Sequence, residues 1–139
     1  MRIEVASAAD SEGVTALWEA AGLKRPWNNL LRDFDRALSN PQQTMFVAKS
    51  DDTYLGALMT ADDGRCGWIY LLGVHPEHEG KGVGTALMKA GEEWLRNRGQ
   101  ELVFLMVRDG NEQVMDFYAA LGYEKRNVQV MGKNLGQAH

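Results

Sequence analysis

The sequence is poor in several residue types, and each scarcity excludes a class of protein. The chain has 139 residues, with 1 cysteine and 3 prolines. Because Cys66 has no second cysteine to pair with, a disulfide-stabilised secreted scaffold is excluded, and a reducing, cytoplasmic setting is expected. The longest uncharged apolar run, Cys66–Val74, is less than half the length that spans a bilayer, so no membrane partner is predicted.

An excess of basic residues is also lacking. Lysine and arginine total 15 against 19 aspartates and glutamates, which gives a net charge of −4. The basic residues are scattered apart from the Lys125-Arg126 pair, whereas phosphate backbones require a clustered basic surface. Nucleic acid is therefore not an expected partner. The segment Met1–Gly13 contains acids and no apolar core, so a signal peptide is not expected either.

The pattern along the chain predicts a single domain, residues 1–139, with helices and strands interleaved. Strands are predicted at Arg2–Val5, Thr44–Lys49, Thr53–Thr60, Cys66–Val74 and Glu101–Val107, and one or two closing strands at Tyr123–Leu135. Helices are predicted after the capping box Ser7-Ala8-Ala9-Asp10, around Leu30–Leu38, from about Gly82 to Arg98, and from about Asn111 to Leu121. The order β-αα-βββ-α-β-α-β(β) favours an α/β (α+β) fold, with a mixed, mainly antiparallel sheet of six to seven strands and helices on both faces.

A glycine-rich loop joins the apolar strand to the long helix. Glycines at 80, 82 and 84 let backbone N–H groups converge, and a helix N-terminus adds free donors and partial positive charge, so the loop suits a pyrophosphate. It is not a Walker loop, because Lys81 lies between glycines. It is not a Rossmann fingerprint, because the third glycine of G-x-G-x-x-G is missing.

The loop resembles the acetyl-CoA signature of the Gcn5-related N-acetyltransferases (GNAT), L-x-V-x-P followed by Arg/Gln-x-x-Gly-x-Gly/Ala. Leu72, Val74 and Pro76 match the first part, and Gly82 and Gly84 match the second. Glu79 departs from the Arg or Gln that is usual in the family. The resemblance implies that acetyl-CoA is the co-substrate and that these residues bind it: Leu72, Gly73, Val74, Glu79, Gly80, Lys81, Gly82, Val83, Gly84, Thr85, Asn111 and Tyr118.

A second family signature follows downstream, with Asn111 at a helix start and Tyr118 within the helix. In the family, this asparagine commonly bonds the cofactor, and it can also cap the helix. The tyrosine points at the cofactor sulfur, which implies that Tyr118 is catalytic: a phenol can protonate the leaving thiolate or hold it by a hydrogen bond. The alternative, that Tyr118 is only a core residue, is the interpretation we adopt for Phe117 and Leu121.

The resemblance further implies a V-shaped opening between Cys66–Val74 and Glu101–Val107. Pantetheine would bond there to the backbone of Leu72–Val74 like an added strand. A backbone N–H near Leu72–Val74 would polarise the acetyl carbonyl. The implied activity is acetyl transfer to a primary amine by direct attack in a ternary complex. A non-catalytic acyl-CoA-binding or regulatory domain is the alternative, and dimers, common in the family, leave a homodimer open.

The acceptor and the general base are not identified by the sequence. Trp27, Asn28 and Tyr70 are candidate acceptor contacts. A small, mostly uncharacterised group of bacterial family members carries a similar Arg-Pro-Trp-Asn segment. The alternative for Trp27 and Asn28 is a hydrophobic plug and a helix cap. Tyr70 is the only titratable side chain in Gly67–Val74, so no base is assigned. No metal is expected: the loop His75–Glu79 is interpreted as a charged surface loop.

Overall fold

The computed structural model describes residues 1–136, so the last three residues of the predicted domain lie outside the described residues. The chain forms, in order, β1 Arg2–Val5, α1 Ser11–Ala20, α2 Leu30–Ser39, β2 Gln43–Ser50, β3 Thr53–Asp62, β4 Gly67–Val74, α3 Val83–Asn97, β5 Val103–Leu105 and α4 Glu112–Ala120. The chain divides into two compact units, Met1–Met106 with all five strands and α1 to α3, and Val107–His139 with α4.

The sheet of the first unit has the order β1-β2-β3-β4-β5. Neighbouring strands are antiparallel except β4 and β5, which are parallel. The β2–β3 hairpin turns at Asp51, whose φ is 53°. The prediction of a mixed, mainly antiparallel sheet is thus confirmed, and β5 is shorter than the predicted Glu101–Val107.

The predicted count of six to seven strands is wrong, because residues 123–136 contain no strand. Val128 and Val130, on which the prediction of closing strands rested, are 76% and 73% exposed. A strand is stable only where its backbone pairs with a neighbour and one face is buried. Two valines between polar residues supply little apolar surface to bury, and the alternation alone was a weak signal.

Helices cover both faces of the sheet, as predicted. On one face, a core cluster joins Trp18 of α1 and Phe34 of α2 to Val47, Ala57 and Met59 of the strands. Local signals start these helices: Asp10 Oδ2 accepts a bond of 2.9 Å from the Ser7 backbone N–H, and Asn29 caps α2. Within residues 1–136, no helix is long and apolar enough to cross a membrane.

Helix α3 packs on the opposite face, and missing side chains set how closely it approaches. A Cβ built on Gly56 would lie 2.8 Å from Val83 and 2.9 Å from Leu87. Further along, a Cβ on Gly67 would lie 2.5 Å from Leu95. The first turn of α3 therefore rests directly on the sheet because β3 carries no side chain at residue 56. The role of Gly56 could not be recognised from the sequence, because Val83 and Leu87 are far away in the chain.

Candidate active site

Strand β4 carries a β-bulge at Leu71–Leu72, at the start of the predicted pantetheine segment Leu72–Val74. Met59 pairs with Tyr70 and Ala57 pairs with Gly73, so two β4 residues, Leu71 and Leu72, lie opposite one β3 residue. Leu71 adopts a φ of 52°, which is rare for a leucine. Such strain, about 1–3 kcal/mol, is typically found at functional sites, and bulges are common beside active sites. The bulge could not be predicted from the sequence, because a leucine gives no signal for positive φ.

The other edge of β4 is only partly paired. β5 runs parallel to β4 from Gly67 to Ile69, and the ladder ends at the Ile69–Leu105 pair. Beyond that point, Tyr70–Val74 has no strand partner on this side among the described residues of the first unit. The backbone groups of this edge can therefore bond to an extended ligand, as an added strand would.

The edge leads directly into the glycine-rich loop. A short turn at Pro76–His78 follows β4, and His75 Nδ1 accepts a bond of 3.2 Å from the Glu77 backbone N–H. Gly80 and Gly82 then adopt φ values of 79° and 81°. Because this conformation is unfavourable for residues with a Cβ, glycine is the residue expected at both positions.

The start of α3 offers unsatisfied donors. Its N-cap, Gly82, has no side chain to bond the first-turn N–H groups, and no side-chain cap is present. The first N–H groups of any α-helix lack partners within the helix, and the helix dipole adds partial positive charge there. Glu79 and Lys81 are exposed beside this end, and Lys81 Nζ lies 3.3 Å from His78 Nδ1. The arrangement suits an anion such as a pyrophosphate.

In the second unit, Asn111 occupies the N-cap position of α4 without a side-chain capping bond. The expectation that its amide caps the helix is therefore wrong, although its carbonyl accepts the Met115 N–H at 3.1 Å. The cap is made by backbone alone, and the Asn111 amide makes no helix-capping bond that a ligand would have to replace.

Tyr118 lies in a small aromatic cluster of the second unit. Its ring centroid is 5.1 Å from that of Phe117 and 5.8 Å from that of Tyr123. Burial raises the pKa of Tyr118 to about 12. The phenol therefore keeps its proton throughout the physiological pH range, and its O–H is a hydrogen-bond donor rather than a base.

The three candidate acceptor contacts fall in different surroundings. Trp27 is 72% exposed, so the interpretation as a hydrophobic plug is wrong. Asn28 stabilises the loop in which it lies. Its Oδ1 accepts a hydrogen bond from the Arg25 N–H, and its Nδ2 donates one to the Leu23 carbonyl, both at 2.9 Å. The helix cap is the next residue, Asn29. Tyr70 is half-buried on β4, and burial raises the pKa of its phenol.

The acids nearest to β4 are engaged in structural bonds. Asp62 is buried and pairs with Arg98 Nε at 2.9 Å, and Gln100 donates to it at 2.8 Å. The Arg98 bond is the main cause that lowers the pKa of Asp62. Burial raises the pKa of the Cys66 thiol, which opposes a thiolate nucleophile. Asp62 is therefore committed to structural bonds, and no general base is assigned among residues 1–136.

The loop before α3 brings three metal-ligating side chains near one another. Ligand atoms of His75, Glu77 and His78 all lie within 4.8 Å of one another. Ligands of a tetrahedral zinc ion are closer, about 3.3 Å apart given zinc–nitrogen bonds of about 2.0 Å. The Lys81 ammonium beside His78 adds a positive charge that opposes a cation. The absence of a metal stays a prediction.

The chain is similar in sequence to known acetyltransferases. A model of the acetyltransferase (GNAT) family matches residues 10–123. An acetyltransferase of Yersinia pestis is 37% identical over 135 residues, which cover 97% of this chain and 96% of that protein. The chain belongs to the acetyltransferase (GNAT) family and is an acetyl-CoA-dependent N-acetyltransferase.

Solved structures share the fold at low sequence identity. One is AAC(6')-Iy in complex with the bisubstrate analogue CoA-S-monomethyl-acetylneamine, with a TM-score of 0.84 and 18% identity over 96% of this chain and 97% of that one. Another is an aminoglycoside antibiotic 6'-N-acetyltransferase of Acinetobacter haemolyticus, with a TM-score of 0.80 and 19% identity over 98% and 100% of the two chains. At this identity the likeness shows the fold alone.

Proposed function

We propose that this chain transfers the acetyl group of acetyl-CoA to a primary amine by direct attack in a ternary complex. The observation that carries the proposal is the continuity of the β4 edge with the start of α3. The β4 edge at Tyr70–Val74, which has no strand partner among the described residues of the first unit, runs into a loop with two glycines at positive φ and then into a helix N-terminus without a side-chain cap. An extended arm that ends in a pyrophosphate matches this sequence of surfaces.

In this proposal the cofactor is held mainly by backbone groups. N–H groups of Gly80–Thr85 bind the pyrophosphate, the edge at Leu72–Val74 binds pantetheine, and the Asn111 amide bonds the cofactor. Charge-assisted hydrogen bonds contribute about 1.5–3 kcal/mol each. The Glu79 carboxylate opposes them by only about 0.7 kcal/mol at about 6 Å in water. The complex of AAC(6')-Iy with an analogue built on CoA supports the choice of ligand.

The acyl transfer needs a neutral amine and a stabilised oxyanion. The amine nitrogen forms a bond to the acetyl carbon, the carbon–sulfur bond breaks, and the amine proton leaves to solvent. The bulge at Leu71–Leu72 turns the β4 backbone locally, and we place the oxyanion donor among the N–H groups of Leu72–Val74. A buried Cys66 with a raised pKa supports direct attack over an acyl-cysteine intermediate.

Tyr118 is the residue we propose to stabilise the leaving thiolate. With the pKa of Tyr118 at about 12 and that of an ordinary thiol at about 8.5, complete proton transfer is uphill by about 5 kcal/mol. A hydrogen bond from the phenol to the thiolate has no such penalty. We therefore assign Tyr118 as a hydrogen-bond donor to sulfur, with the proton finally supplied by solvent.

The test is CoA release from acetyl-CoA with a broad panel of small amines and N-terminal peptides. Tyr118→Phe removes one hydroxyl, and Tyr123→Phe is the matched control, because it removes a hydroxyl from the same aromatic cluster. We expect kcat to fall about 10–100-fold for Tyr118→Phe, from the loss of one transition-state hydrogen bond of about 1.5–3 kcal/mol. Tyr123→Phe should stay within about threefold of wild type.

The panel also decides between catalysis and mere binding. If CoA binds and no amine in the panel is acetylated, the non-catalytic acyl-CoA-binding or regulatory domain is the better account. If Tyr118→Phe and Tyr123→Phe lower kcat equally, the role of Tyr118 is refuted.

The remaining parts of the proposal concern the protein as a whole. We propose that the two units act as one cytoplasmic domain, because the family match runs across both, from residue 10 to residue 123. The homodimer expected from the family is part of this proposal. Light scattering of the purified protein tests it: the mass of a monomer, 15.5 kDa, would refute the dimer.

A further inference from the structure

A row of aromatic side chains lies on β4 and β5, on the sheet face that α1 and α2 share. Trp68 and Tyr70 are stacked, with centroids 6.2 Å apart and planes at 16°. Phe104 of β5 pairs with Trp68 in register, and their ring centroids are 5.4 Å apart. Tyr70 packs against the core cluster of α1 and α2. Gly67 lies on the opposite face, where a Cβ would meet Leu95 of α3. All three rings are half-buried.

A carboxylate ends this row. Asp63 Oδ2 accepts the Trp68 indole N–H at 3.1 Å. Asp63 Oδ1 accepts the backbone N–H groups of Arg65 at 2.8 Å and Cys66 at 2.9 Å. The backbone bond from Cys66 is the main cause that lowers the pKa of Asp63. Oδ2 also accepts the Cys66 thiol at 3.8 Å. Because the Asp63 side chain is exposed, a fixed negative charge is presented at the end of an aromatic surface.

The aromatic row lies on the same strand as the proposed position of the acetyl group, at a distance that can be estimated. Trp68 precedes Leu72 by four residues on β4, which corresponds to about 13 Å at about 3.3 Å per residue. Tyr70 lies about halfway. An acceptor whose amine attacks near Leu72, on the face opposite α3, would therefore extend along these rings toward Asp63. Aromatic faces attract cations and pack against alkyl or sugar bodies, and a carboxylate selects a second positive charge.

We propose that the Asp63–Trp68–Tyr70–Phe104 face binds the acceptor, and that the acceptor is an extended small molecule with a second cationic amine about 10 Å or more from the acetylated amine. This inference rests on the proposed function and adds the substrate class. A compact monoamine would place no positive charge beside Asp63, and an anionic acceptor would be repelled by it.

Three small amines test the spacing directly. 1,8-Diaminooctane carries two amines far enough apart to reach both ends, octylamine has the same body without the second charge, and 1,3-diaminopropane has both charges too close together. We expect the KM of the wild type for 1,8-diaminooctane to be about three- to fivefold below that for either other amine, because only this amine can reach Asp63 with its second charge, and an ion pair with an exposed carboxylate has a modest effect.

Asp63→Asn tests the carboxylate while keeping an oxygen for the Arg65 and Cys66 N–H groups. We expect its KM for 1,8-diaminooctane to rise about three- to fivefold, with the KM for octylamine and both kcat values within about twofold. Asp52→Asn is the control, because Asp52 is an exposed aspartate in a turn of the β2–β3 hairpin. The inference is overturned if the wild type has equal KM values for the diamine and octylamine, or if Asp63→Asn raises both KM values equally.

The two proposals fail in different ways. If no amine is acetylated, the proposed function fails. Calorimetric binding of 1,8-diaminooctane to the CoA-loaded protein then still decides the inference. Binding that weakens about three- to fivefold in Asp63→Asn and is unchanged in Asp52→Asn supports it, and undetectable or unaffected binding overturns it. The melting temperature of each variant identifies any loss of affinity that comes from unfolding.

Discussion

Two glycines at the ends of α3 allow the cofactor site to be separated from the stability of the helix. Gly82 precedes the helix with a φ of 81°, and Gly99 follows it with a φ of 87°. A Cβ at either position would meet no heavy atom within 4 Å. Alanine at either position therefore causes backbone strain alone, about 1–2 kcal/mol for the left-handed conformation.

Gly82→Ala and Gly99→Ala should thus lower stability equally, by about 3–8 °C in Tm. Only Gly82→Ala disturbs the N–H groups proposed to bind the pyrophosphate. Loss of even one charge-assisted bond, about 1.5 kcal/mol, raises the Kd for acetyl-CoA at least about tenfold. Calorimetric titration of acetyl-CoA into each variant below its Tm measures this. Equal Kd values for Gly82→Ala, Gly99→Ala and wild type would refute the assignment of the site to the start of α3.

Three further predictions concern charges. The kcat/KM should rise with pH up to the pKa of the acceptor amine and should not fall before about pH 11, because Tyr118, with its pKa raised to about 12, keeps its proton; a falling limb near pH 9 would contradict this. Glu79→Gln should bind acetyl-CoA about threefold more tightly at low salt, since it removes a repulsion of about 0.7 kcal/mol, and the gain should shrink at high salt; unchanged affinity would show that Glu79 points away from the pyrophosphate. Burial raises the pKa of Asp10, but bonds from Lys49, Ser7 and Tyr54 outweigh it and hold the pKa at about 2. Because the folded pKa lies below the unfolded value of about 3.9, the resulting stability, about 2.6 kcal/mol, is present above pH 4 and is lost as the pH falls toward 2. Asp10→Asn should therefore lose stability at pH 7 and little at pH 2 in urea titrations, and an equal loss at both pH values would contradict the linkage.

The parts of the fold that follow from local patterns could be predicted from the sequence. The glycine-rich loop correctly predicted where β4 ends and α3 begins, because glycine is the residue that adopts positive φ most readily, whatever its distant neighbours are. The capping box at Ser7–Asp10 and the turn at Asp51 depend equally on neighbours in the chain. These elements lie within two residues of their predicted positions.

The parts that depend on distant residues could not be predicted. The bulge at Leu71 arises from the pairing of β4 with β3, and leucine gives no signal for it. The close packing of α3 against the sheet at Gly56 depends on Val83 and Leu87, which are far away in sequence. The closing strands predicted at Tyr123–Leu135 failed for the same reason, since alternation predicts a strand only where a partner strand is available.

The most direct test of the proposed site is a crystal structure of the acetyl-CoA complex. The account predicts that the pyrophosphate accepts hydrogen bonds from backbone N–H groups of Gly80–Thr85 and that pantetheine pairs with the β4 edge at Leu72–Val74. It also predicts a bond from the Tyr118 hydroxyl to the sulfur. A cofactor bound with its pyrophosphate away from the start of α3, or with pantetheine away from β4, would contradict the account.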